Sequence, residues 1–156
     1  MPPKRTFWGS FLAAGRGILT AAASGRNFRI QICAAIYIVW ISILGDVKGA
    51  ELAVVLLTCA LVMFAEVSNT AIELLCDLYT TEANMMIRAI KDVAAGAVLI
   101  CSVFSCFVGA AIFLDRAVLD SIIRSVTENP VMDAVMLLTV PFAVLFIRKN
   151  KKSASR

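Results

Sequence analysis

The sequence predicts an all-α protein embedded in a membrane, and three observations predict it. Of the 156 residues, 60% are hydrophobic and 17% charged, with a mean hydropathy of +0.87; that apolar share exceeds the usual soluble range. Four long apolar stretches divide the chain, and an apolar–basic segment of helical period precedes them. The length suits one membrane domain with no room for an additional soluble one.

The first element is an amphipathic helix within residues 1–27. Phe7, Trp8, Phe11, Leu12, Ile18, Leu19 and Ala22 follow helical spacing, punctuated by Lys4, Arg5, Arg16 and Thr20. Basic residues beside Phe and Trp suit a helix lying in the headgroup layer. Gly9, Gly15, Arg16 and Gly17 argue against a membrane crossing here, and no apolar core with a small-residue cleavage site marks a secretory signal. Arg16 and Arg29 read as headgroup anchors.

The apolar stretches are Phe28–Leu44, Leu52–Leu78, Val93–Leu114 and Val131–Ile147. About 20 helical residues cross a hydrocarbon core roughly 30 Å thick. The first three form a core over residues 28–114. Residues 115–147 are an extension carrying a fourth transmembrane helix, with Asp133 and Pro141 inside it, and residues 148–156 are a basic tail. With four crossings, twelve Lys and Arg residues lie on one side and three, Lys48, Arg116 and Arg124, on the other. The positive-inside rule then puts both termini in the cytoplasm. An in-plane fourth helix is the alternative, and it erases that asymmetry.

Chemistry concentrates in the second stretch. At about 100° per residue, Glu66, Asn69, Glu73 and Asp77 share one stripe roughly 80° wide. Counted from Leu52, Glu66 lies about 21 Å and Asp77 about 38 Å along the axis, so the stripe begins within the bilayer and emerges into water. Charges at membrane depth face a bundle interior, a partner or a water-filled site. Three acids on one stripe repel unless a cation sits among them, which points to metal-assisted chemistry near the bilayer surface.

Absences narrow the chemistry. With no histidine, imidazole triads and shuttles are excluded, and no Walker phosphate loop occurs. The five cysteines form no CxxC pair and read as packing residues. The few basic charges are a poor platform for nucleic acid. A second polar cluster, Arg88, Lys91 and Asp92, stands just before the third stretch. It reads either as a snorkelling boundary or as a site in which Lys91 neutralises phosphate oxygens. Ala94, Ala95, Gly96 and Ala97 allow close helix approach beside it.

These two segments, Glu66-x-x-Asn69-Thr-Ala-Ile-Glu73-x-x-x-Asp77 and Lys91-Asp92-x-Ala-Ala-Gly-Ala-Val-Leu-Ile100, resemble the small bacterial integral-membrane diacylglycerol kinases, a family that includes undecaprenol kinases. Arg26-Asn-Phe-Arg-Ile-Gln31 resembles the undecaprenol-kinase branch. The resemblance covers roughly residues 10–114 and implies a homotrimer with sites shared between subunits, phosphorylating a membrane lipid alcohol with ATP and Mg²⁺. It implies Glu66 as general base, Asn69 as an orienting residue, Glu73 as a metal ligand, and Lys91, Asp92 and Glu82 as nucleotide contacts. Asp77 completes the acidic row as a second candidate ligand. Many relatives carry a glutamate where this chain has Gly25, and the extension beyond residue 114 is a further departure.

Phosphoryl transfer depends on positioning and charge neutralisation, which such a residue set supplies. Two functions are therefore carried forward. The first is an ATP-dependent lipid kinase of the cytoplasmic membrane, with undecaprenol the first choice of acceptor and diacylglycerol the second. The other is a non-catalytic membrane protein, either a degenerate kinase homologue or an ion-pathway subunit.

Overall fold

The computed structural model describes residues 6–79, 84–128 and 130–148, with side chains left out at 131–133. The described residues form six helices: α1 (Phe7–Ser24), α2 (Arg26–Leu44), α3 (Gly49–Tyr79), α4 (Met85–Phe113), α5 (Arg116–Glu128) and α6 (Pro130–Arg148). Among them α2, α3 and α4 are long and apolar enough to cross a membrane, matching the three-helix core read from the sequence.

α1 starts at Thr6, whose Oγ1 accepts the Gly9 amide at 3.2 Å. It ends at Gly25, which separates it from α2. Its aromatic end stays exposed, with Phe7 in edge contact with Trp8 and Phe11, and Ala21 is buried where α1 meets the core. This is the form expected of a helix whose apolar side belongs to lipid.

α3 is the axis of the molecule: both α2 and α4 pack along it, while α2 and α4 make no close backbone approach to each other among the described residues. At 31 residues α3 is roughly 46 Å long, well beyond the hydrocarbon thickness. Its C-terminal turns carry the exposed acids Glu73 and Asp77. α4 begins earlier than expected, at Met85. Asn84 caps it by accepting the Met86 and Ile87 amides at 2.8 and 3.3 Å. Arg88, Lys91 and Asp92 are thus helical rather than in a loop, because a good cap starts a helix wherever it occurs.

The extension contains two helices. α5, which the hydropathy pattern did not separate from its surroundings, is capped by Asp115 Oδ1 on the Ala117 amide at 2.8 Å. It docks on the end of α2, with Ser125 Oγ donating to the Leu44 carbonyl at 3.0 Å and Val118 and Ile122 beside Gly45. α6 returns along α2. Tyr37 Oη meets Thr139 Oγ1 at 3.1 Å, and Arg29 Nη2 donates to the Ile147 carbonyl at 3.3 Å. Eight residues separate the partners on each helix, which fixes an antiparallel register.

Arg29 is therefore not a lipid anchor. It is 8% exposed and also donates Nη1 to the Ala22 carbonyl at 2.8 Å, so its charge sits at the C-terminal turns of α1 and α6. Carbonyls at helix C-termini carry partial negative charge, and that is what makes a buried guanidinium tolerable here. Arg16 remains exposed, as expected. All five cysteines are free.

Gly45 is buried because a Cβ there would meet Val118 Cγ1 at 2.8 Å and Ile122 Cγ1 at 3.3 Å. Gly45→Ala should destabilise the protein by about 1–3 kcal/mol through overpacking. Thermal unfolding in detergent measures it, and adding Val118→Ala should recover most of the loss by removing the opposing methyl.

Candidate functional site

The acidic stripe runs from buried to exposed along α3. Glu66 is 3% exposed, Asn69 6% and Thr70 5%, whereas Glu73 and Asp77 lie in contact with solvent. α2 and the α1–α2 junction cover Glu66. Beyond it α3 still buries Asn69, Thr70 and Cys76, and α4 stays alongside through the Lys91–Asp77 pair, while Glu73 and Asp77 themselves remain exposed.

Glu66 Oε2 accepts Gln31 Nε2 of α2 at 3.4 Å. Its other oxygen faces the junction: a Cβ on Gly25 would lie 3.9 Å from Glu66 Oε1. The backbone at Gly25 is extended, with φ −109° and ψ 126°, a conformation open to any residue. The carboxylate is thus held on one side by an amide and faces a side-chain-free gap on the other. Thr70 Oγ1 donates to the Glu66 carbonyl at 3.0 Å and so keeps its own hydroxyl within the helix.

One turn on, Asn69 Nδ2 donates to Glu73 Oε1 at 2.9 Å and leaves Asn69 Oδ1 buried without a partner. A buried acceptor with no donor is costly, so this atom marks a place where a hydroxyl, an amine or a cation would be welcome. Asp77 Oδ1 pairs with Lys91 Nζ of α4 at 2.5 Å. The pair ties the start of α4 to the end of α3 and brings a cation onto the acidic stripe, as the polar cluster ahead of the third stretch suggested.

Among the described residues, no three acids or cysteines converge as a ready metal cage. Mg²⁺ seldom needs one, because it binds through one or two carboxylates and completes its shell with water and substrate phosphates. Glu73, Asp77 and the unpartnered Asn69 Oδ1 fit that sparse donor set. Asp92 lies exposed one residue after Lys91. Glu82 falls outside the described residues. Sequence reasoning missed Gln31 as a partner of Glu66, although it stands in the Arg26–Gln31 segment already singled out; its pairing across 35 residues has no local signal.

The family model described as prokaryotic diacylglycerol kinase matches residues 12–113, which run from within α1 to the end of α4 and include every described candidate residue. An undecaprenol kinase of Bacillus subtilis is 37% identical over 110 residues, covering 70% of this chain and 89% of that protein. A diacylglycerol kinase of Synechocystis sp. is 35% identical over 106 residues, covering 67% of this chain and 61% of that protein's length. No solved structure matches the chain.

The Lys91–Asp77 pair is open to water, with side chains 34% and 63% exposed. Exposed pairs of this kind contribute little to stability. Lys91→Met and Asp77→Asn should each leave the thermal unfolding midpoint unchanged within error, so a loss of activity in either variant reports on chemistry and not on folding.

Proposed function

The chain belongs to the prokaryotic diacylglycerol kinase family and is a membrane lipid kinase that uses ATP, and from that membership we propose that its acceptor is undecaprenol, phosphorylated at the cytoplasmic face of the inner membrane. The observation that carries the site is Glu66. It is an acid buried at membrane depth, held by one amide, at the point where α1, α2 and α3 meet. The acceptor follows the name of the Bacillus subtilis relative and the Arg26–Gln31 segment.

The lipid hydroxyl approaches Glu66 from the bilayer. Gln31 fixes the carboxylate by holding Oε2. Glu66 takes the hydroxyl proton as the oxygen attacks the γ-phosphorus of ATP, the bond to the bridging oxygen breaks, and ADP leaves. Lys91 and Asp92 stand at the water end, where Lys91 meets the phosphates after exchanging its contact with Asp77. Glu73, Asp77 and Asn69 Oδ1 would hold Mg²⁺, which when bound neutralises charge on the phosphoryl oxygens. The exposure of Glu73 and Asp77 supports a homotrimer in which a neighbouring subunit closes over the nucleotide.

The extension adds a fourth crossing in this reading. α6 is 19 residues long, as is α2, and it is antiparallel to α2 in a fixed register. If α2 spans the bilayer, α6 spans it too, and α5 lies at the far surface.

Radiolabel transfer from ATP to a panel of lipid alcohols tests the activity. Undecaprenol should be labelled best, and Glu66→Gln should lower the rate by at least about a hundredfold while nucleotide binding persists. Absence of labelled product with every lipid, in protein that also binds no nucleotide, would overturn the kinase reading. Gly25→Glu sets a carboxylate beside Glu66 on a backbone that accepts it, and should raise Mg²⁺ affinity, read by titration in the presence of ATP. Arg148→Cys should react with a membrane-impermeant thiol reagent only from the cytoplasmic side; labelling from outside the cell would remove the fourth crossing.

A further inference from the structure

α3 carries two stripes in line. Val55, Cys59 and Val62 occupy the same face as Glu66, at spacings of four, three and four residues, so an apolar track leads directly to the acidic row. This track is the floor of a groove of about 260 Å³. Its walls are α2 on one side and α4 on the other, and it exists because those two helices both pack on α3 without closing on each other.

The register of the helices fixes the depth of each lining residue. Gln31 stands opposite Glu66, and the Asp77–Lys91 pair aligns α3 antiparallel with α4. Ser102 then lies level with Glu66, and Gly109 level with Cys59, about 10 Å deeper along the axis. Val55 and Phe113, at the bottom, lie about 16 Å from Glu66. The walls are slim: Ala34 and Ala35 on α2, Ser105 and Gly109 on α4.

At its upper end the groove reaches Gln31, whose Nε2 binds Glu66 while its Oε1 is buried without a partner. The opposite face of α2, from Cys33 to Trp40, is turned to α6. The groove is therefore the lateral apolar approach to Glu66 that the described helices leave between α2 and α4.

We propose that the groove between α2 and α4 binds one hydrocarbon chain of the acceptor alcohol, and so makes this enzyme discriminate between lipid alcohols by the length of chain that follows the hydroxyl. This rests on the reading of Glu66 as the proton acceptor. The track supplies the apolar contact, and Glu66 at its end receives the hydroxyl proton, with the unpartnered Gln31 oxygen at the same end of the groove. Burying that chain lowers the free energy in proportion to its contact with the walls, up to the length of the groove.

Gly109 is the position for a test. A Cβ there would approach only the Phe113 ring, at 4.0 Å, so a larger side chain enters open space without disturbing the helix contact. The wild-type protein and Gly109→Leu are assayed in detergent with dimethylallyl alcohol, farnesol and undecaprenol as acceptors. In the wild type kcat/KM should rise from dimethylallyl alcohol to farnesol. In Gly109→Leu it should fall about tenfold for farnesol and undecaprenol, mainly through KM, and stay unchanged for dimethylallyl alcohol, whose chain ends above the blockage.

Cys59→Leu, on α3 at the same depth as Gly109, serves as the second variant should the first fail to fold, with the same expectation. Equal activity of the folded variants and wild type on all three alcohols overturns the groove, while Glu66-dependent labelling in the same assay keeps the kinase reading intact. Loss of labelling with every alcohol in the wild type overturns the kinase reading instead. A Cys106 disulfide formed between two copies on oxidation, with wild-type chain-length dependence lost, would assign the groove to a neighbouring subunit and overturn the proposal.

Discussion

The structure depends on keeping a carboxylic acid at membrane depth without leaving it alone. An isolated carboxylate in hydrocarbon is costly, and every element near Glu66 lessens that cost. α2 delivers the Gln31 amide to one oxygen, the α1–α2 break keeps the other oxygen free of side-chain bulk, and α3 lifts the remaining acids out of the apolar layer. Glu73 and Asp77, in the last turns of α3, are exposed, and Lys91 brings a cation to them.

That logic explains what the sequence could and could not disclose. The stripe was legible because helical period alone puts residues 66, 69, 73 and 77 on one face, and the hydropathy of 52–78 alone says that the face runs out of the membrane. The start of α4 was not, because apolar counting begins at Val93 whereas the helix begins two turns earlier at a good cap, Asn84. The Lys91–Asp77 pair depends on those two turns. α5 escaped because its charged residues recur every few positions and lower the local hydropathy, while its apolar face has meaning only against Gly45. Arg29 misled for a related reason: a basic residue at the membrane edge reads as an anchor unless a distant helix end, here that of α6, arrives to receive it.

The extension changes the character of α2. In the core alone, α2 would show lipid everything not turned to α3. With α6 beside it, the face of α2 from Cys33 to Trp40 lines a cavity of about 500 Å³ shared with α6, and the guanidinium of Arg29 is clamped between the ends of α1 and α6. α1, α2 and α6 are joined at the same end as Glu66 and its gap. Motion of α1 against α2, which any approach to Glu66 through the junction would require, therefore drags on α6 through two hydrogen bonds to a charged donor, each worth about 1.5–3 kcal/mol when desolvated. The extension stiffens the junction it touches.

Gly25 sits within that stiffened junction, and its meaning follows from geometry. The backbone there would accept any side chain, and the nearest atoms to an added Cβ lie at ordinary contact distance, 3.5 Å from the Ala21 carbonyl and 3.9 Å from Glu66 Oε1. Neither torsion nor crowding demands glycine. What a longer acidic side chain would change is the charge beside Glu66: a second carboxylate at that distance repels the first unless a cation neutralises both. Without it, Glu66 keeps a single amide partner and an open flank, and the metal-binding capacity of the stripe moves outward to Glu73 and Asp77. Two turns of helix, about 10 Å, separate Glu66 from Glu73, so in the proposed mechanism a hydroxyl would reach the first acid without displacing a cation held by the outer ones.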